Sequence, residues 1–157
     1  MSLKPRALYG NVLTPQGWIG GAIHFQEHIL DIAGDAVNPA INDDDYLLPG
    51  FIDLHVHGGG GKDTMEAGNA VQVIARTHAQ HGTTSLLATT MTAPILDIEQ
   101  ALQAIGVASR SRPAGTARVL GAHLEGPYIN SGKLGAQPDF TCAATLKHLL
   151  WSGPCSS

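Results

Sequence analysis

The chain predicts an α/β fold, on three observations. An apolar run ends in Asp53-Leu54-His55-Val56-His57, two later segments carry a helical apolar period, and two strand-like runs lie between and after them. Residues 48–57 read as a strand, with Pro49 and Gly50 marking its start. Residues 66–81 read as a helix, because Ala67, Ala70, Val71, Ile74, Ala75 and His78 recur near a 3.6 period. Residues 83–91 form a β-branched, apolar strand. Pro94 opens a second helix to about Arg110, with Ile95, Ile98, Leu102 and Ile105 on one face. Residues 119–125 are a third strand. Strand, helix, strand, helix, strand in one direction argues for right-handed βαβ units and a parallel sheet.

Residues 1–48 have a different rhythm. Residues 7–13, 18–25 and 28–32 read as short strands, separated by Thr14-Pro15-Gln16-Gly17 and by further Gly and Asp punctuation. They make part of a small β-layer. Asn42-Asp43-Asp44-Asp45 reads as a solvated turn, since like charges so close repel without an ion. The chain therefore divides at about residue 49, into 1–48 and 49–157.

Composition narrows the function class. At 157 residues the chain can bury a sizeable core, and 14% charged residues with 19 glycines suit buried elements joined by tight loops. A net charge of −4 with no basic cluster argues against nucleic acid and anionic membranes as partners. No apolar stretch approaches the roughly 18 residues of a membrane span. Basic residues at the N-terminus lack an apolar run behind them, so a signal peptide is not expected and a cytoplasmic location is. Cys142 and Cys155 lack metal-finger spacing.

The chemistry concentrates at two strand ends. In a regular strand Asp53, His55 and His57 share one face, and imidazoles at i and i+2 stand about 6–7 Å apart at Cα. Both can lean onto one ion at about 2.0–2.1 Å. Glu125, closing the third strand, can bring a carboxylate oxygen to the same place. Asp53 is expected to accept the other ring N–H of a ligand histidine, and His123 to support the site from one layer below Glu125. Residues 58–61 are expected to be a flexible active-site loop, because no helix-opening Lys-Ser or Lys-Thr follows. His78 and His81 are i, i+3 neighbours on a helix, a spacing that permits metal binding, but that helix is expected on the outside of the fold; His24, His28 and His148 carry no functional expectation.

These ligand positions fall at the C-terminal ends of strands, where active sites of open α/β sheets and (β/α) barrels lie. Only three β/α units fit, against eight in a closed barrel. Residues 141–148 read as a weak helix and 151–157 offer no fourth strand. The chain is expected to be cut short, with an exposed sheet edge that aggregates or pairs with another chain.

Pro49-Gly50-Phe51-Ile52-Asp53-Leu54-His55-Val56-His57-Gly58 is similar to the first barrel strand of the amidohydrolase superfamily. Gly59-Gly60-Gly61-Lys62-Asp63, His81-Gly82-Thr83-Thr84, His123-Leu124-Glu125-Gly126-Pro127 and Lys133-Leu134-Gly135-Ala136-Gln137 narrow the resemblance to the N-acetylglucosamine-6-phosphate deacetylases, over about residues 5–140. The resemblance implies the first three units of a (β/α)8 TIM-like barrel, preceded by part of a small β-sandwich. It implies metal-dependent hydrolysis of an acetamido group, yielding glucosamine 6-phosphate and acetate. Glu125 matches a metal-binding glutamate, and His55 and His57 match a pair that some members use for a second metal. One or two divalent ions are thus implied, zinc foremost, with iron or manganese as alternatives. Ala136, with Gln137 beside it, matches a position that contacts the amino-sugar phosphate substrate. The catalytic aspartate base and further histidine ligands match nothing here and are expected beyond residue 157. Homo-oligomerisation or a complementary chain is a possible partnership.

Two other readings stand beside this one. A dihydroorotase-like or hydantoinase-like enzyme would be marked by a carboxylated lysine between two metals, whereas a glutamate on the third strand marks the deacetylase. A truncated or frameshifted, non-catalytic fragment would explain the change in character after Phe140.

Overall fold

The computed structural model of the chain describes residues 4–144. The weak helix at 141–148, His148 and Cys155 lie wholly or partly outside them. Two compact units divide the chain, Met1–Pro49 and Gly50–Ser157.

The first unit is a four-stranded sheet of β1 (Arg6–Thr14), β2 (Gly17–Phe25), β3 (Ile29–Ala36) and β4 (Tyr46–Leu47), in the order β3-β2-β1-β4. β1 pairs antiparallel with β2 and β2 with β3, while β4 runs parallel to β1. Thr14 and Gly17 close a two-residue hairpin, with the Thr14 hydroxyl donating to the Gly17 carbonyl at 2.7 Å. β3 runs further than the expected 28–32. Gly34, beyond that range, pairs with Gly21, and Gly21 with Gly10. A Cβ on Gly21 would collide with the Ala33 carbonyl and the Gly34 backbone, so the strands approach there only without side chains. Asn11 is fully buried and exchanges amide hydrogen bonds with Asn42 at 2.6 and 3.1 Å. That pair pins a turn in which Asp43, Asp44 and Asp45 stay exposed.

The second unit is α/β. β5 (Phe51–Val56), β8 (Thr83–Thr89) and β9 (Arg118–His123) form a parallel sheet in the order β5-β8-β9. Helix α1 (Ala70–Ala79) joins the first two strands and α2 (Ile95–Ser109) the last two. Val71, Ile74 and Ala75 of α1 and Ile105 and Ala108 of α2 pack with Val56, Leu86, Ala88 and Val119 into one core. Pro94 is the N-cap of α2, where its missing N–H costs nothing.

Two expectations shift between β5 and β8. Residues 58–61 are not a loose loop. Gly58–Gly59 (β6) pairs antiparallel with Lys62–Asp63 (β7), and His78 of α1 meets the Gly58 carbonyl at 3.0 Å. A Cβ on Gly59 would press on the His78 ring. The helix expected from residue 66 is also split. Thr64–Glu66 is a 3-10 turn with a capping box, in which Asp63 accepts from Met65 N–H and Glu66 accepts from Asp63 N–H. Ala67 then takes φ +54 and Gly68 φ +53, so α1 starts only at Ala70. Helical periodicity continued through these residues, but their backbone did not.

Candidate metal centre

The C-terminal end of the parallel sheet carries the chemistry. Pairing of β5 with β8 is irregular between Asp53 and Val56. Bulges of this kind are found beside active sites because they re-aim side chains. Here the break turns both flanking imidazoles to one point. His55 Nε2 and His57 Nε2 lie 2.9 Å apart, with ring centroids 4.8 Å apart. The Asp53 carboxylate accepts from the His55 backbone N–H at 3.1 Å. It was expected to take a ring N–H, on the premise of a regular strand. In the broken ladder the nearby backbone donor takes its Oδ1 instead.

Glu125 sits two residues past the end of β9, where Thr90 N–H donates to the His123 carbonyl at 3.1 Å. The chain then turns through Gly126 at φ +74, where any Cβ would meet the Thr92 side chain. Glu125 Oε2 comes within 3.0 Å of both His55 Nε2 and His57 Nε2. The three ligand-type atoms thus form a near-equilateral triangle, and these three residues make up a group able to hold a metal ion. Ligands about 2.0–2.1 Å from one ion stand about 3 Å apart, which matches the triangle. Glu125 Oε2 is buried and has no hydrogen-bond partner, although its other oxygen has one. A buried carboxylate oxygen facing two imidazole nitrogens fits a cation better than it fits a proton network.

His123 lies edge-on to His55 at 4.9 Å between centroids, with Nδ1 3.4 Å from the Thr89 hydroxyl. It packs behind one imidazole and stays outside the triangle. Ala136 is exposed in a turn, and Gln137 beside it reaches back to the site. The Gln137 amide nitrogen donates to Glu125 Oε1 at 2.8 Å, and its oxygen accepts from Thr92 N–H at 2.7 Å. A cavity of about 370 Å³ opens nearby, between Met65, Met91, Thr92, Asp97 and Pro138, and none of His55, His57 and Glu125 lines it.

Sequence reasoning missed the threonines. Thr89, Thr90 and Thr92 are fully buried at the end of β8. The Thr89 hydroxyl accepts from Val56 N–H at 2.9 Å, between the two histidines. The Thr90 hydroxyl accepts from Glu125 N–H at 3.2 Å. One short run therefore holds the ends of both neighbouring strands. The available signal was Thr-Thr-Met-Thr at a strand end, where buried hydroxyls need partners.

Among the described residues no helix is long and apolar enough to cross a membrane. Residues 46–141 match the profile of the amidohydrolase family, most of the second unit. The chain is 40% identical over 138 residues to N-acetylgalactosamine-6-phosphate deacetylase of Escherichia coli O157:H7, covering 81% of this chain and 34% of that one. It is 44% identical over 99 residues to N-acetylglucosamine-6-phosphate deacetylase of Bacillus subtilis, covering 60% and 25%. The crystal structure of N-acetylglucosamine-6-phosphate deacetylase from Thermotoga maritima superposes with a TM-score of 0.79 at 27% identity, covering 92% of this chain and 39% of that one. The chain spans about a third of the length of the first of these relatives. With a profile match over more than half its residues, reaching from β4 through the paired imidazoles to Glu125, the chain belongs to the amidohydrolase family.

Proposed function

We propose that His55, His57 and Glu125 hold a divalent metal, zinc foremost, in an enzyme that deacetylates an N-acetylhexosamine 6-phosphate. The observation that carries this reading is the 2.9–3.0 Å triangle of two imidazole nitrogens and one buried, otherwise unpartnered carboxylate oxygen. The two relatives compared above are named for the gluco and the galacto sugar, so the substrate class is the amino-sugar phosphate that both share.

On this reading the first unit is part of a small β-sandwich and the second unit is the opening of a (β/α)8 barrel. The parallel order β5-β8-β9 with helices between, and the likeness to the Thermotoga maritima fold, support it. A divalent ion at the triangle would polarise the acetamido carbonyl and lower the pKa of a bound water to about 7. Glu125 supplies the negative charge that holds such an ion, and the imidazoles supply neutral nitrogen donors. Asp53 fixes the His55 backbone, and His123 packs against its ring. Ala136, exposed in its turn, offers backbone groups to the substrate. The reading assigns no general base to residues 4–144.

Metal analysis tests the ligand set. The chain, loaded with zinc or cobalt(II) and dialysed, is expected to retain metal, and Glu125→Gln and His57→Ala to lose it. Equal retention in wild type and both variants would end the reading. Acetate release from N-acetylglucosamine 6-phosphate, set against ring opening of dihydroorotate or hydantoin, separates the deacetylase from a cyclic amidohydrolase.

A further inference from the structure

We infer that Gln137 is a positioning residue that orients Glu125, tying down one carboxylate oxygen so that the other faces the imidazole pair. The inference rests on the metal reading above. Its basis is a chain of hydrogen bonds with one possible sense. Thr92 N–H can only donate, so the Gln137 atom 2.7 Å from it must be the amide oxygen. The amide nitrogen is then directed to Glu125 Oε1 at 2.8 Å, where a carboxylate can only accept. The amide is therefore oriented by the chemistry of its two partners.

This tether acts where Glu125 is otherwise free. Its backbone is fixed by the Thr90 hydroxyl, but the last torsion of a glutamate is broad and two-fold. With Oε1 held by Gln137, the carboxylate plane is set and Oε2 stands 3.0 Å from each imidazole nitrogen. Gln137 touches neither imidazole in any hydrogen bond of the site. It works through Glu125, as groups that hydrogen-bond a ligating carboxylate do. The two ends of the tether, Thr92 and Glu125, belong to different strand ends, so Gln137 also fixes their spacing. Glutamine suits this place because it spans an obligate donor and an obligate acceptor. A glutamate there would set one carboxylate against another, an asparagine would be too short to reach both, and a leucine would leave both partners unmet.

Cobalt(II) titration of the chain, followed by its visible spectrum, tests the idea. Gln137→Leu and Gln137→Glu are expected to weaken cobalt binding about 10–100-fold and to change the d–d bands, which report ligand arrangement and not fold. Wild-type affinity and spectrum in Gln137→Leu would overturn the proposal. Because a Gln137 variant can fail to fold, a second measurement leaves Gln137 in place. In the metal-free chain the Gln137 side-chain amide protons should exchange slowly, and Glu125→Ala should speed that exchange. Exchange at the rate of a free glutamine in the wild type would overturn the tether. Slow exchange in a chain that binds no cobalt would uphold the tether and defeat the metal reading instead.

Discussion

Replacing Thr89 by valine removes one hydroxyl and leaves the shape, volume and β-branching of the side chain in place. Thr89 is fully buried and Val56 is 4% exposed, so the Val56 N–H that loses its 2.9 Å acceptor cannot turn to water. Leaving a buried donor unmet costs about 1–3 kcal/mol, and no cavity adds to it. We take about 2 kcal/mol as the central value. For a domain of this size 1 kcal/mol lowers Tm by roughly 2–4 °C, so Thr89→Val should melt about 4–8 °C below wild type. The assay is thermal unfolding by circular dichroism, with hydrogen exchange at the Val56 amide as the local readout. Thr84→Val is the control, since its hydroxyl donates at 3.3 Å to the Phe51 carbonyl from an exposed position. It should change stability by less than about 0.5 kcal/mol. If Thr89→Val melts with the control, and Val56 exchanges at the wild-type rate, then the hydroxyl does not secure the strand between the histidines.

Other outcomes follow from the same contacts. Gly21→Ala should destabilise by about 1–3 kcal/mol, because its Cβ meets the Ala33 carbonyl, whereas Gly106→Ala in α2 meets nothing and should stabilise by about 0.5–1 kcal/mol; urea unfolding of the two variants gives opposite shifts in midpoint if this is right. Glu66 accepts from Lys62 at 2.6 Å and from the Asp63 N–H, which hold its carboxyl below the usual 4.5. Its contribution to stability is therefore complete above 4.5 and lost as pH falls through the lowered folded value. Lys62→Met should raise the Glu66 titration toward 4.5 in carboxyl NMR, and an unmoved midpoint would reject the assignment. Ala67→Gly should stabilise the chain by about 1 kcal/mol or more, because Ala67 holds φ +54 and ψ −146; a lower urea midpoint than wild type would contradict this.

Much of this was legible in the residues. The alternation of strand and helix after Leu47 placed β5, α1, β8, α2 and β9 to within a few residues, because each buries one apolar face. His55, His57 and Glu125 could be named as neighbours because parallel strands bring their C-terminal ends to one rim. What escaped was backbone irregularity and polar packing. Asp53 was misread because a regular strand was assumed where the ladder breaks. Ala67 looks like any helical alanine, and nothing in its side chain announces a positive φ. The third strand was read as stopping at Ile32, yet the lack of a Cβ on Gly34 is what lets β3 continue against Gly21. Gln137 was read for a substrate, and its sequence position does not announce that both polar atoms of its amide meet protein partners.

The threonine run at the end of β8 ties grip and fold into a single equilibrium. The Thr89 hydroxyl steadies Val56, the Thr90 hydroxyl steadies Glu125 and the Thr92 N–H steadies Gln137, so loosening that run loosens Glu125 and the strand between the histidines together. On the metal reading proposed above, an ion held there would, by the same coupling, protect the whole sheet against heat. Saturation at a hundredfold over Kd would contribute about 2.7 kcal/mol of protection, and a chelator would withdraw it as surely as a mutation.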